Sequence, residues 1–213
     1  MNYTSPNWSN AILMTIDTQN DFVLPDAPAR IDGTWEVTSK IRELLQVFRQ
    51  NNLPILHIIR LYKADGSNVD ICRREAVEKG FRIAVPHTQG AELVDEIKPN
   101  NETRLCPDQL LRGNFQEIAN VEWIMYKSRW GAFYRTNLEK FLRTQNIDTI
   151  IISGCNFPNC PRTTIYQASE RDFRIVMAKD AISQTYERGI DEMRNIGVNL
   201  MDTVEIVQLL KNR

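Results

Sequence analysis

The segment Thr149-Ile150-Ile151-Ile152-Ser153 is apolar and β-branched at consecutive positions. A strand with one wet face alternates, whereas one apolar throughout must be covered on both faces, as in a parallel sheet. Ala11–Ile16 and Ile55–Ile59 repeat the pattern, and Glu122–Tyr126, residues 174–178 and residues 198–201 add further strand signals. Helical spacing fills the gaps. Val37, Ile41, Leu44, Leu45 and Phe48 follow Thr34, a residue type suited to capping them. Further helices are expected over 136–145, 162–171, 191–195 and 204–210. Strand and helix alternating in this way predict an open parallel six-stranded sheet with helices on both faces, a three-layer α/β/α fold. With 213 residues and no linker-like shift in composition, residues 1–213 are expected to form one domain.

The long interval 61–121 breaks the rhythm. It holds a turn at Asp65-Gly66-Ser67-Asn68, a helix near 71–79 and a polar stretch to Asn101. A connection of this length either covers a site or is a structural excursion. Charge is balanced, with 26 Lys plus Arg against 27 Asp plus Glu, so no global field argues for nucleic acid. No apolar run approaches the ~20 residues of a membrane span. The polar start, Met1 to Asn10, has no basic-then-apolar leader, so a cytoplasmic protein with reduced thiols is expected. The four cysteines fit no CxxC or zinc-ribbon spacing, and two histidines exclude a His-rich metal site. Cys155 and Cys160 are close enough in sequence for a redox pair, though a strand end and a helix start are an unusual place for one.

Three chemically active residues fall at strand ends. Asp17 follows the first strand, Lys127 the third, and Cys160 stands a short turn beyond the fourth, before Pro161 and a helix. Ligands of open α/β sheets sit outside the carboxyl ends of strands. A thiol at a helix N-cap meets orphan N–H groups and the positive end of the helix dipole, which favour the thiolate, and is expected to alkylate before Cys72, Cys106 or Cys155. The plain alternative is that Cys160 is a small apolar residue at a turn and that Asp17 and Lys127 are solvated turn formers. If the three converge, Asp17 takes the thiol proton and Lys127 holds the charges in place.

These residues resemble the isochorismatase-like cysteine hydrolases. The likeness rests on Asp17-Thr18-Gln19-Asn20-Asp21-Phe22 after the first strand, on Lys127-Ser128-Arg129-Trp130-Gly131-Ala132-Phe133, and on Gly154 six positions before Cys160. It covers nearly the whole chain from Asn10 to Leu210. The resemblance implies an Asp17–Lys127–Cys160 triad and hydrolysis through a thioester. It also implies an oxyanion hole from the amides of Asn156 and Cys160, with a cis peptide at Cys155–Asn156, and a homo-oligomer, dimer or higher. Phe22 and Trp130 are candidate pocket walls or plain core.

Departures from the pattern bear on substrate. Nicotinamidases of the family carry an Asp-x-His metal site after the second strand; here Arg60-Leu61-Tyr62 stands there, so no metal and no other cofactor is expected. Phe157-Pro158-Asn159 before the nucleophile are bulkier than usual and make Phe157 a substrate-facing candidate. Cys160-x-Arg162 is similar to members that cleave N-carbamoyl and ureido amides. Arg60 and Arg162 are then candidates for holding a substrate carboxylate, or else are surface charges. The expected activity is metal-independent hydrolysis of a C–N bond in a small amide, N-carbamoyl or ureido substrate. Vinyl ether cleavage of the isochorismatase type, which needs no thiol nucleophile, and a non-catalytic binding module are the alternatives.

Overall fold

The computed structural model describes residues 2–212. Its helices and strands run in the order β1 (Ala11–Ile16), α1 (Asn20–Val23), α2 (Thr34–Gln50), β2 (Ile55–Ile59), α3 (Ile71–Glu78), α4 (Pro107–Leu111), β3 (Gln116–Ala119) and β4 (Glu122–Tyr126). Then follow α5 (Leu138–Thr144), β5 (Thr149–Gly154), α6 (Cys160–Ser169), β6 (Arg174–Ile182), α7 (Glu187–Asn195), β7 (Asn199–Met201) and α8 (Thr203–Lys211). The strands form one sheet in the order β3-β4-β2-β1-β5-β6-β7, parallel except for the β3–β4 pair.

Consecutive apolar residues in the central strands divide between two cores. Ala11, Leu13, Ile151, Val176 and Ala178 pack under α2 and α8 with Leu44, Phe48, Ile206 and Leu210. Ile12, Met14, Ile16, Ile150, Ile152 and Met177 face the other way, under α5, α6 and α7, with Leu138, Ile165 and Met193. Every position of β1 and β5 is buried, which explains why their sequences do not alternate. The interval 61–121 has a small core of its own, in which Leu61, Ala91, Leu93, Leu105 and Leu110 pack on Ile59 and Ile124.

Two expectations need correction. Among the described residues the sheet has seven strands, because Gln116–Ala119 adds an antiparallel edge strand. Its polar, half-exposed sequence gave no signal, as is usual for an edge. Thr34 does not cap α2. Gly33 occupies that place at φ 80°, and the Thr34 hydroxyl instead donates to Ser183 Oγ at 2.9 Å.

Candidate active site

β1 and β2 are linked on one side of the sheet, β5 and β6 on the other, so the strand order reverses between β1 and β5. Such a reversal opens a crevice at the carboxyl ends of the strands. Gly154 closes β5 at φ 112°, and a Cβ there would stand 2.3 Å from the Ile16 carbonyl oxygen. Only glycine lets the two strand ends lie this close, and the Cys155 amide then donates to Ile16 O at 2.9 Å. On the other strand Asp17 adopts φ 54°, which turns the chain away from the sheet at once while its amide still donates to Ile58 O at 2.8 Å.

In this crevice Lys127 Nζ donates to Asp17 Oδ2 at 2.8 Å, and both side chains are almost wholly buried. Asp17 Oδ1 is buried without a hydrogen-bond partner among the described residues. Cys160, 4% exposed, lies at the first position of α6, with Asn159 rather than the cysteine as N-cap. Burial first, and the Asp17 carboxylate second, push its thiol up; Lys127 and Arg60 oppose them and do not prevail. The site therefore holds a thiol rather than the thiolate expected from the helix start alone. The Cys155–Asn156 peptide is cis. Neither the Asn156 nor the Cys160 amide has a backbone acceptor among the described residues, and the Asn156 side chain is held by Gln184 and Asn159.

Arg60 is not a surface charge. It is 1% exposed, its Nη1 donates to Asp70 Oδ2 at 2.9 Å and to Ser128 O at 3.0 Å, and its Nη2 reaches Cys160 Sγ at 3.9 Å. Burial works against its charge, but the fields of Tyr62, Asp17, Cys160 and Asp70 outweigh it and hold the guanidinium protonated. Trp130 belongs here too, since the Arg60 Cζ lies 5.0 Å from its ring centroid and that of Arg73 5.1 Å.

Three other candidates lie elsewhere. Phe22 packs in the α2-side core. Phe157 is fully buried in the opposite core, edge-on to Tyr186, and so is core rather than pocket wall. Arg162 points along the outside of α6, where Tyr186 and Glu192 engage its guanidinium. Cys155 and Cys160 are both free thiols, and Cys155 donates to Asp17 O at 3.0 Å.

Sequence reasoning missed the residues that organise Arg60. Gln19 accepts from the Arg60 amide and donates to the Arg60 and Ala91 carbonyls, all within 2.8 Å. Tyr62 donates to Asp70 at 2.8 Å and accepts from Arg73 at 2.8 Å. Gln19 lies inside the Asp17–Phe22 motif, the one signal that pointed to it. The end of β2 does not suit a metal ion, because a buried guanidinium and a tyrosine stand where cation ligands would be needed. Among the described residues no group of three or more His, Cys, Asp and Glu is arranged to hold one.

Known proteins share this architecture. A crystal structure of an isochorismatase family protein from Desulfovibrio vulgaris superposes with a TM-score of 0.80 at 31% identity, covering 95% of this chain and 98% of that one. A probable inactive nicotinamidase of Arabidopsis thaliana is 28% identical over 90% of this chain and 91% of its own length. A maleamate amidohydrolase of Pseudomonas putida is 26% identical over 82% of this chain and 72% of its own. The isochorismatase domain model matches residues 11–205, and the chain belongs to the isochorismatase family.

Proposed function

We propose that the protein is a cysteine-dependent hydrolase that cleaves a C–N bond of a small amide, N-carbamoyl or ureido substrate through a thioester. The observation that carries this is the half-used carboxylate of Asp17: Lys127 fixes one oxygen, while the other is buried, without a hydrogen-bond partner among the described residues, and the carboxylate is felt by the Cys160 thiol. A carboxylate in that state is ready to accept a proton. As Sγ attacks the substrate carbonyl carbon, its proton passes to Asp17 Oδ1. The carbonyl π pair moves to oxygen, where the Asn156 and Cys160 amides receive the charge. When the intermediate collapses, the C–N bond breaks, Asp17 returns the proton to the leaving nitrogen, and an acyl group remains on sulfur. Asp17 then takes a proton from water, the hydroxide attacks the thioester carbonyl, the C–S bond breaks, and Asp17 returns the proton to the leaving sulfur, which regenerates the thiol as the acid product departs. Lys127, bonded to Asp17 Oδ2, keeps the carboxyl group aligned throughout.

The maleamate amidohydrolase relative supports C–N cleavage. Metal independence is supported by the buried Arg60, which repels a divalent cation at the end of β2. Ammonia release from a panel of small amides and ureides tests the reading. Turnover by the wild-type protein, its loss by about 10³-fold or more in Cys160→Ala, and an unchanged rate after EDTA are expected. A binding module without turnover is the second reading, favoured by the nearly sealed thiol and by the relative named probable inactive. Absence of turnover across the panel, with the protein folded, selects it.

A further inference from the structure

Buried donors in folded proteins are almost always satisfied, so an exception needs a cause. Arg60 is such an exception. Asp70 and Ser128 take Nη1, while Nε is buried without a partner among the described residues and Nη2 has only the 3.9 Å contact to Cys160 Sγ. Nε and Nη2 form the side-on edge of the guanidinium, two parallel N–H bonds spaced to match the two oxygens of a carboxylate. Asp70 Oδ1 also lacks a hydrogen bond, but Arg129 Nε stands 3.8 Å from it. Among the described residues, only the long Nη2 contact to Cys160 Sγ reaches the Arg60 edge.

That edge is rigid. Gln19 clamps the Arg60 amide and carbonyl, Asp70 pins Nη1, and Trp130 and Tyr62 flank the plane with centroids 5.0 and 5.8 Å from Cζ. The local charge is also unbalanced. Among the described residues, Lys127 pairs with Asp17, Arg60 and Arg129 share Asp70, and Arg73 reaches the Tyr62 hydroxyl, so four cations of the cluster are set against two carboxylates. A single carbonyl oxygen would leave one Arg60 donor orphaned, and the amides of Asn156 and Cys160 already await that oxygen. The geometry points to a carboxylate-binding subsite on the Nε–Nη2 edge of Arg60, and hence to a short acid amide or ureido acid as substrate. Its carboxylate lies only a few bonds from the scissile carbonyl, since the edge abuts the nucleophile. The word substrate rests on the hydrolase reading; the anion site does not.

The test has two arms. Malonamate, succinamate and N-carbamoylglycine are compared in turnover with malonamide, succinamide and N-carbamoylglycinamide, which lack the carboxylate. Separately, malonate, succinate and N-carbamoylglycine, and in parallel malonamide, succinamide and N-carbamoylglycinamide, are titrated calorimetrically into Cys160→Ala, which binds without chemistry. At least one acid should exceed its neutral twin about 100-fold or more in kcat/KM, and should bind Cys160→Ala where the twin does not. Arg60→Lys keeps the charge but loses the fork edge, and should raise KM with a smaller change in kcat. Arg60→Gln/Asp70→Asn removes both buried charges together, guards against misfolding of the single variant, and should abolish the acid preference with an unchanged circular dichroism spectrum. Equal turnover of acids and twins overturns the subsite and leaves the hydrolase standing. Acid binding without any turnover keeps the subsite and removes the hydrolase. Failure of all three acids to bind Cys160→Ala overturns the subsite.

Discussion

The sulfur of Cys160 and the carboxylate of Asp17 compete for one proton at two nearly buried side chains. Burial and the adjacent negative charge hold that proton on sulfur, against Lys127 and Arg60. A raised thiol keeps the thiolate the minority form up to the ordinary value of about 8.5. The far-ultraviolet thiolate absorbance of wild type minus Cys160→Ala should therefore show no step below about pH 8.5, and Lys127→Met should move the step higher. A step below neutral pH would contradict the arrangement. Exposed Cys72 and Cys106 should accordingly react with iodoacetamide before Cys160, the reverse of what the helix start suggested. Asp17, Lys127 and Cys160 were legible because each follows a strand closely, and strand ends of a parallel sheet share one rim. Gln19, Tyr62, Asp70 and Arg73 were not. Their roles arise where α1 and the interval 61–121 fold back over β2, a matter of tertiary packing that local sequence does not encode.

Gly154 is the position at which one element depends most sharply on another. Its left-handed φ of 112° and the 2.3 Å approach of a would-be Cβ to Ile16 O leave no room for a side chain, and the obstacle is backbone. Gly154→Ala must therefore part β1 from β5 or twist the turn leading to Cys155. A loss of roughly 3 kcal/mol or more is expected, read as a lower urea midpoint at constant slope, together with loss of any turnover. A cost under about 1 kcal/mol would show that the strand ends tolerate separation. The sequence marks Gly154 as a strand stop, but not the close approach that requires it. The central strands were legible from their continuous apolar runs. β3 was not, because Gln116–Ala119 buries too little to carry a pattern, and α2 extends from Gly33 because an αL glycine starts it without a side-chain cap.

At the scale of the whole molecule, the interval 61–121 leaves Ile71 and Phe81 exposed, 84% and 40%. Burial of this surface between copies fits the expected homo-oligomer, and light scattering at micromolar concentration should give at least twice the mass of one chain. Acid stability is set elsewhere. On the α2 side of the sheet, Thr15 Oγ1 bonds His57 Nδ1 at 2.8 Å, His57 Nε2 meets Glu122 Oε1 at 2.8 Å, and Arg49 grips both Glu122 oxygens at 2.7 and 3.0 Å. This chain ties β1, β2, β4 and the end of α2 together. Burial disfavours the Glu122 carboxylate, but the bonds from Arg49 and His57 prevail and lower it to about 2. A carboxyl held below its unfolded value of about 4.3 stabilises the fold above that pH and stops doing so as pH falls through its folded value. The contribution is on the order of 3 kcal/mol at neutral pH. Urea unfolding should show wild-type stability falling between about pH 4.5 and 2. Glu122→Gln, which cannot ionise, should be less stable at pH 7, have a flatter profile across that window, and converge with wild type at its acid end. Parallel profiles for the two proteins would mean that the cluster does not set acid stability.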